Sequence, residues 1–170
     1  MHELIYNQHD IPKDQWRYGL RSSAATGCGW IATHNALHLL GYGENIPDLI
    51  RYYEFQFPVL HGNFGTCLWG PALCFHQWGF PVTMEADPRK FDEAAKKADV
   101  CILFYYWHQG LKIGSHFVAL QHTDHGFVGY NTYRSSKGPD LYGESLQGFL
   151  KRQQYFPAML ICIRDKRKTR

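Results

Sequence analysis

Eight consecutive apolar residues, Val100 to Trp107, form the longest unbroken apolar run of the chain. The run is far short of the ~20 residues that a membrane-crossing helix needs, and polar residues bound it. It reads as a strand. His116–His122 and Phe127–Tyr133 are two further strands, joined by Thr123-Asp124-His125-Gly126 as a hairpin turn, and Phe156–Arg164 is the last. Helix signals come before them. Cys28–Leu40 is densely apolar, too long for a strand, and closed by Gly41 and Gly43. Pro47–Phe55, Pro71–Trp78 and Arg89–Ala98 follow, and Ser145–Gln153 is inserted among the strands. Helices first, then an antiparallel meander with one inserted helix, predict an α+β fold with the helices on one side of the sheet.

At 170 residues the chain is the size of one domain, taken as residues 1–164 with a basic tail at 165–170. Hydrophobic residues make up 45% and charged residues 19%, which excludes a disordered chain. The first twenty residues hold no apolar stretch of signal-peptide type, so a cytoplasmic location is expected. The net charge of +3 is a property of the end alone. Arg164 to Arg170 carry five basic groups and one acid, leaving 13 basic and 14 acidic groups elsewhere. Such a tail could touch nucleic acid or an anionic lipid, but no basic face lies upstream of it. It reads as a solvated chain end, with nucleic acid an improbable partner.

The cysteines number five and stand at 28, 67, 74, 101 and 162. A disulfide framework is not expected without a signal peptide. Cys67, Cys74 and His76, with His61, do not match a closed zinc spacing, so neither a metal nor a cofactor is expected. Cys101 in Val-Cys-Ile-Leu-Phe and Cys162 in Leu-Ile-Cys-Ile read as small hydrophobes in buried strands.

Cys28 differs from the other four. It opens the apolar helix within Thr26-Gly27-Cys28-Gly29-Trp30. Free backbone N–H groups and the positive end of the helix dipole favour a thiolate there, and the thiolate is the nucleophile. Small residues packed where a helix begins would give the same pattern. A thiolate needs a proton acceptor, and the acceptor needs an orienting group. His116 heads the strand Ser115-His116-Phe117-Val118-Ala119-Leu120. With Thr123–Gly126 as the turn, residue 122 faces 127 and paired numbers sum to 249. His116 then faces Tyr133, with Asn131 a diagonal neighbour on the same face. A bulge would break that relation.

These residues resemble the papain-like cysteine peptidase superfamily. The resemblance rests on Gly27-Cys28-Gly29-Trp30 opening a helix, Ser115-His116-Phe117-Val118-Ala119-Leu120 in a strand, and Asn131 fifteen residues beyond His116. It spans roughly Arg17 to Arg164 and is greatest to the bacterial double-glycine leader peptidases and their stand-alone relatives. The N-terminal domain of the butirosin biosynthesis acyltransferase is a further relative of this kind. The resemblance implies a papain-like fold, with N-terminal helices packed on an antiparallel sheet. It implies Cys28 as nucleophile, His116 as general base and acid, and Asn131 as the orienting residue. The oxyanion hole would combine the Cys28 N–H with one upstream side chain. Relatives place a glutamine about six residues before the cysteine; here Ser22 stands there, and Gln15 is thirteen residues before. The implied activity is a thiol hydrolase acting on a peptide or a small acyl or amide substrate through an acyl-enzyme. Acyl transfer to an amine, or silent binding of a peptide or partner, remain alternatives. Trp69, Trp78, Tyr105, Tyr106 and Trp107 could line a cleft or fill the core. The sequence does not fix an oligomeric state.

Overall fold

A computed structural model describes residues 3–56, 58–61 and 65–168. The chain opens with an arm ending in a 3-10 turn, Gln8–Asp10, and a short hairpin of β1 (Arg17–Tyr18) and β2 (Arg21–Ser22). Four helices follow: α1 (Ser23–Thr26), α2 (Cys28–Leu39), α3 (Ile46–Gln56) and α4 (Gly70–Gln77). Then come β3 (Val82–Glu85), α5 (Phe91–Lys96), β4 (Val100–Gln109), β5 (Lys112–Thr123), β6 (Gly126–Tyr130), β7 (Asp140–Gly143), α6 (Leu146–Gln153) and β8 (Ala158–Ile163). Six strands form one antiparallel sheet in the order β3-β8-β4-β5-β6-β7. The meander is therefore β4 to β7, and β8 returns to lie between β3 and β4.

The apolar run that opens β4 is explained by burial on both faces. Val100, Ile102 and Phe104 join Phe117, Ala119, Met159 and Ile161 under α2 and α4. Cys101, Leu103 and Tyr105 join Val118, Leu120 and Leu160 under α5 and α6. This corrects the expectation of helices on one side. Neighbouring strands that are apolar on alternate and intervening residues alike need cover on both faces.

Helix α2 is buried from Cys28 to Leu37. One side packs on the sheet, and Trp30 and Ile31 on the other side meet Ile46, Leu49, Ile50 and Tyr53 of α3. A helix enclosed in this way is apolar all round, so it shows no polar stripe. Its buried polar residues all find partners: Thr33 shares a hydrogen bond with Tyr53, and His34 with Glu44.

The last residues differ from a solvated end. Asp165 is buried and accepts from Tyr42 Oη at 2.9 Å. Arg167 pairs with Asp165 and donates to the Leu40 carbonyl, and Lys166 Nζ donates to the Trp78 carbonyl at 2.9 Å. These cations serve the C-terminal ends of α2 and α4, where unpaired carbonyls attract positive charge. Thr169 and Arg170 lie outside the described residues. Among the described residues no helix is long and apolar enough to cross a membrane.

Candidate active site

Cys28 is the first residue of α2, with Gly27 as its N-cap. Both flanking glycines are set by close approach. A Cβ on Gly27 would lie 2.6 Å from the Ser23 carbonyl oxygen, and one on Gly29 would lie 2.3 Å from Thr66 Oγ1. Thr66 is buried and donates to Tyr18 Oη at 3.1 Å, so it cannot simply swing away. Gly29→Ala is therefore expected to cost about 1–3 kcal/mol of stability through overpacking, read as a lower denaturation midpoint.

Cys28 is buried, with 9% of the residue exposed. Backbone N–H groups of Phe117, Gly29 and Cys28 itself point at it and favour the thiolate. Burial outweighs them and pushes the thiol up to about 11. Phe117 directly follows His116 on β5, so the strand that touches the sulfur also carries the imidazole.

The His116 ring is half-buried, stands edge-on to Tyr105, and is bonded through Nε2 to the backbone carbonyl of Asn131 at 2.6 Å. A carbonyl only accepts, so this bond assigns the proton to Nε2 and leaves Nδ1 with its lone pair. Burial pulls His116 down to about 4, against the support of the Asn131 carbonyl, and His9 nearby adds to the lowering. The unfolded ring takes its proton near 6.5, its ordinary value, and the folded ring near 4. Stability contributed by this group is then level above pH 6.5 and falls as the pH drops from 6.5 to 4, by at most about 3 kcal/mol. His116→Gln should flatten that part of the melting-temperature profile.

Asn131 reaches the imidazole by its main chain. The hairpin register of β5 and β6 follows the sum of 249 from His122↔Phe127 to Ala119↔Tyr130. The strand then stops, because Asn131 is left-handed, with φ of 69°. That turn aims its carbonyl at His116. Its buried side chain faces the N-terminal arm, where Oδ1 accepts from the Gln8 N–H at 2.8 Å and Nδ2 donates to Gln8 Oε1 at 3.2 Å.

Gln8 is the residue that sequence reasoning missed. It is buried, and its Nε2 donates to the Ala24 carbonyl at 3.2 Å, four residues before Cys28. An amide nitrogen carries two protons, so one remains for another acceptor. The arm is held on α2 itself. The Ile5 N–H donates to Asn35 Oδ1, Asn35 Nδ2 donates to the Ile5 carbonyl, both at 2.8 Å, and His34 Nε2 meets the Glu3 carbonyl at 3.0 Å. The two sequence candidates lie elsewhere. Ser22 ends β2, paired with Arg17, and Gln15 is exposed in a turn. Among the described residues neither forms a hydrogen bond with Cys28, His116 or Asn131. Of the aromatics, Tyr105 is in the core, Trp78 packs on Tyr52 and Phe75, and Trp69 and Tyr106 are exposed. No three His, Cys, Asp or Glu side chains gather as a metal site among the described residues.

His116 does not head its strand as expected but is the fifth residue of β5, which starts at Lys112. A cysteine opening a buried helix, packed on an antiparallel sheet with a histidine on the adjoining strand, is the arrangement of the papain-like fold. The peptidase domain of Streptococcus ComA, a bifunctional ABC transporter involved in quorum sensing, superposes with a TM-score of 0.54 at 12% identity, over 83% of this chain and 93% of that one. A double-glycine-motif protease from an AMS/PCAT transporter, solved with its leader peptide, gives 0.55 at 12% identity, over 92% and 96%. No family model matches the chain, and no curated protein matches it.

Proposed function

We propose that the protein is a thiol peptidase or amidase in which Cys28 is the nucleophile and His116 the general base and acid. The observation that carries this reading is the bond from His116 Nε2 to the Asn131 carbonyl, which leaves Nδ1 as a proton acceptor on the strand that touches the Cys28 sulfur. Nδ1 takes the thiol proton as Sγ bonds to the substrate carbonyl carbon. The oxyanion is met by the Cys28 N–H and the spare Nε2 proton of Gln8. Nδ1 then protonates the departing amine, the carbon–nitrogen bond breaks, and water releases the acyl group from sulfur. An amine in place of water would make the same site an acyltransferase.

A peptide substrate is favoured by the fold shared with a protease solved on its leader peptide. The test is incubation with peptides carrying an internal Gly-Gly, followed by mass spectrometry of products and of Cys28. Cleavage with an acyl adduct on Cys28, absent in Cys28→Ala, is the expected result. Equal product from both proteins, or none from either, overturns it. Binding without turnover is the second reading, and the neutral thiol and imidazole favour it. Tight peptide binding with no Cys28 adduct would select it.

A further inference from the structure

Outside the candidate site the molecule holds a pair of neighbouring thiols. Cys101 on β4 and Cys162 on β8 are direct partners across the sheet, with sulfurs 3.7 Å apart and both free. They lie on the face covered by α5 and α6, whereas Cys28 lies on the face covered by α2. Cys101 is sealed in the core at 1% exposure. Cys162 lines an open groove of ≈ 850 Å³, between α5 and β3, which also borders Glu85, Lys90, Glu93, Lys97 and Arg164. Cys162 is itself buried at 6% exposure, and of the two it alone borders space that a small molecule can enter.

The two sulfurs are also chemically unequal. The Cys101 S–H donates to the Cys162 sulfur. That bond, with Thr83 and the charge of Arg164, holds the Cys162 thiol below its ordinary value against burial and the charge of Glu85, while Cys101 is pushed up. A groove-lining thiol beside one sealed in the core is the arrangement of an attacking and a resolving cysteine.

We propose that Cys162 and Cys101 form a dithiol site, separate from Cys28, that exchanges with low-molecular-weight disulfides entering the groove. The Cys162 thiolate attacks one sulfur of the disulfide. The S–S bond breaks, and one small thiolate leaves and takes up a proton. Cys101 loses its proton and attacks the Cys162 sulfur of the mixed disulfide, and the second small thiolate leaves and is protonated. Two protein thiols have lost two electrons, one small disulfide has become two thiols, and a Cys101–Cys162 bond joins β4 to β8. The sulfurs need only close to about 2 Å, which two side chains on strands already in register can do.

The test is treatment of the reduced, folded protein with oxidised glutathione at neutral pH, acid quenching and peptide mapping. In the wild type a linked Cys101–Cys162 peptide pair is expected, with loss of two hydrogens. In Cys101→Ser a glutathione adduct should accumulate on Cys162, roughly tenfold over the buried Cys74. Cys162→Ser should leave Cys101 unmodified. A wild-type map with Cys101 and Cys162 both reduced overturns the proposal, and that map decides even where a serine variant fails to fold. An adduct confined to Cys28 or Cys67 overturns it as well.

Discussion

If the proposed mechanism holds, His116→Ala should lower kcat/KM for peptide cleavage by about 10²–10⁴-fold, the usual share of a positioned acid–base group, and Cys28→Ala should remove the covalent route altogether. The pH profile of the wild type gives the sharper check. Turnover needs Nδ1 free of a proton, and burial places that loss near pH 4. The acid limb of kcat/KM therefore falls near 4, well below the ordinary 6.5 of histidine. The thiol keeps its proton up to about 11, so the two groups are neutral together over the range between. Iodoacetamide should label Cys28 slowly at pH 6 and faster toward alkaline pH. Rapid labelling at pH 6 that disappears in His116→Ala would mean a preformed ion pair and would overturn the neutral resting state.

The magnitudes explain why position alone misleads about this sulfur. A helix N-terminus favours an anion by typically 0.3–1 kcal/mol, which is less than one unit of pKa. Enclosure raises the thiol from an ordinary 9 to about 11, or about 3 kcal/mol in the other direction, with the backbone N–H groups already counted. The sequence displays the helix start but not the enclosure. Enclosure depends on Thr66, Phe117 and the packing of α3 behind α2, none of which is local to Cys28.

The same distinction separates what was legible from what was not. The hairpin register was legible because a four-residue turn and period-2 alternation fix it, and it holds to Ala119↔Tyr130. It fails one residue later, where Asn131 adopts a positive φ that alternation cannot signal. That failure redirects the contact with His116 from the amide side chain to the carbonyl. Helix α2 was legible from apolar density and its glycine stop, and Gly41 is left-handed as a stop requires, with φ of 76°. Strands β3 and β7, at four residues each, are too short for a pattern to emerge. The seat of the tail depends on Tyr42 and Leu40, more than 120 residues upstream. A charge run cannot show which carbonyls it will meet.

Gln8→Ala should lower kcat by about 10²–10³-fold, the usual cost of one lost oxyanion donor, with little change in KM. Gln15→Ala, in an exposed turn, should leave both unchanged. The argument rests on how the arm is anchored. Asn35 sits seven residues beyond Cys28 on the same helix, so the element that carries Cys28 also fixes Ile5, three residues before Gln8. At the far end Asn131, whose carbonyl orients His116, fixes Gln8 through its side chain. The arm thus spans the cysteine half and the histidine half of the site. Asn35→Ala removes one anchor without touching Cys28, His116 or Gln8, and should reproduce part of the kcat loss. Gln8→Glu separates donation from packing, since a carboxylate of nearly the same shape accepts but cannot donate. If Gln8→Glu and Gln8→Ala lose activity equally while both keep the wild-type melting temperature, the amide proton is what the site requires. If Gln8→Glu retains full activity, the oxyanion is met without Gln8, and the arm serves only to hold Asn131.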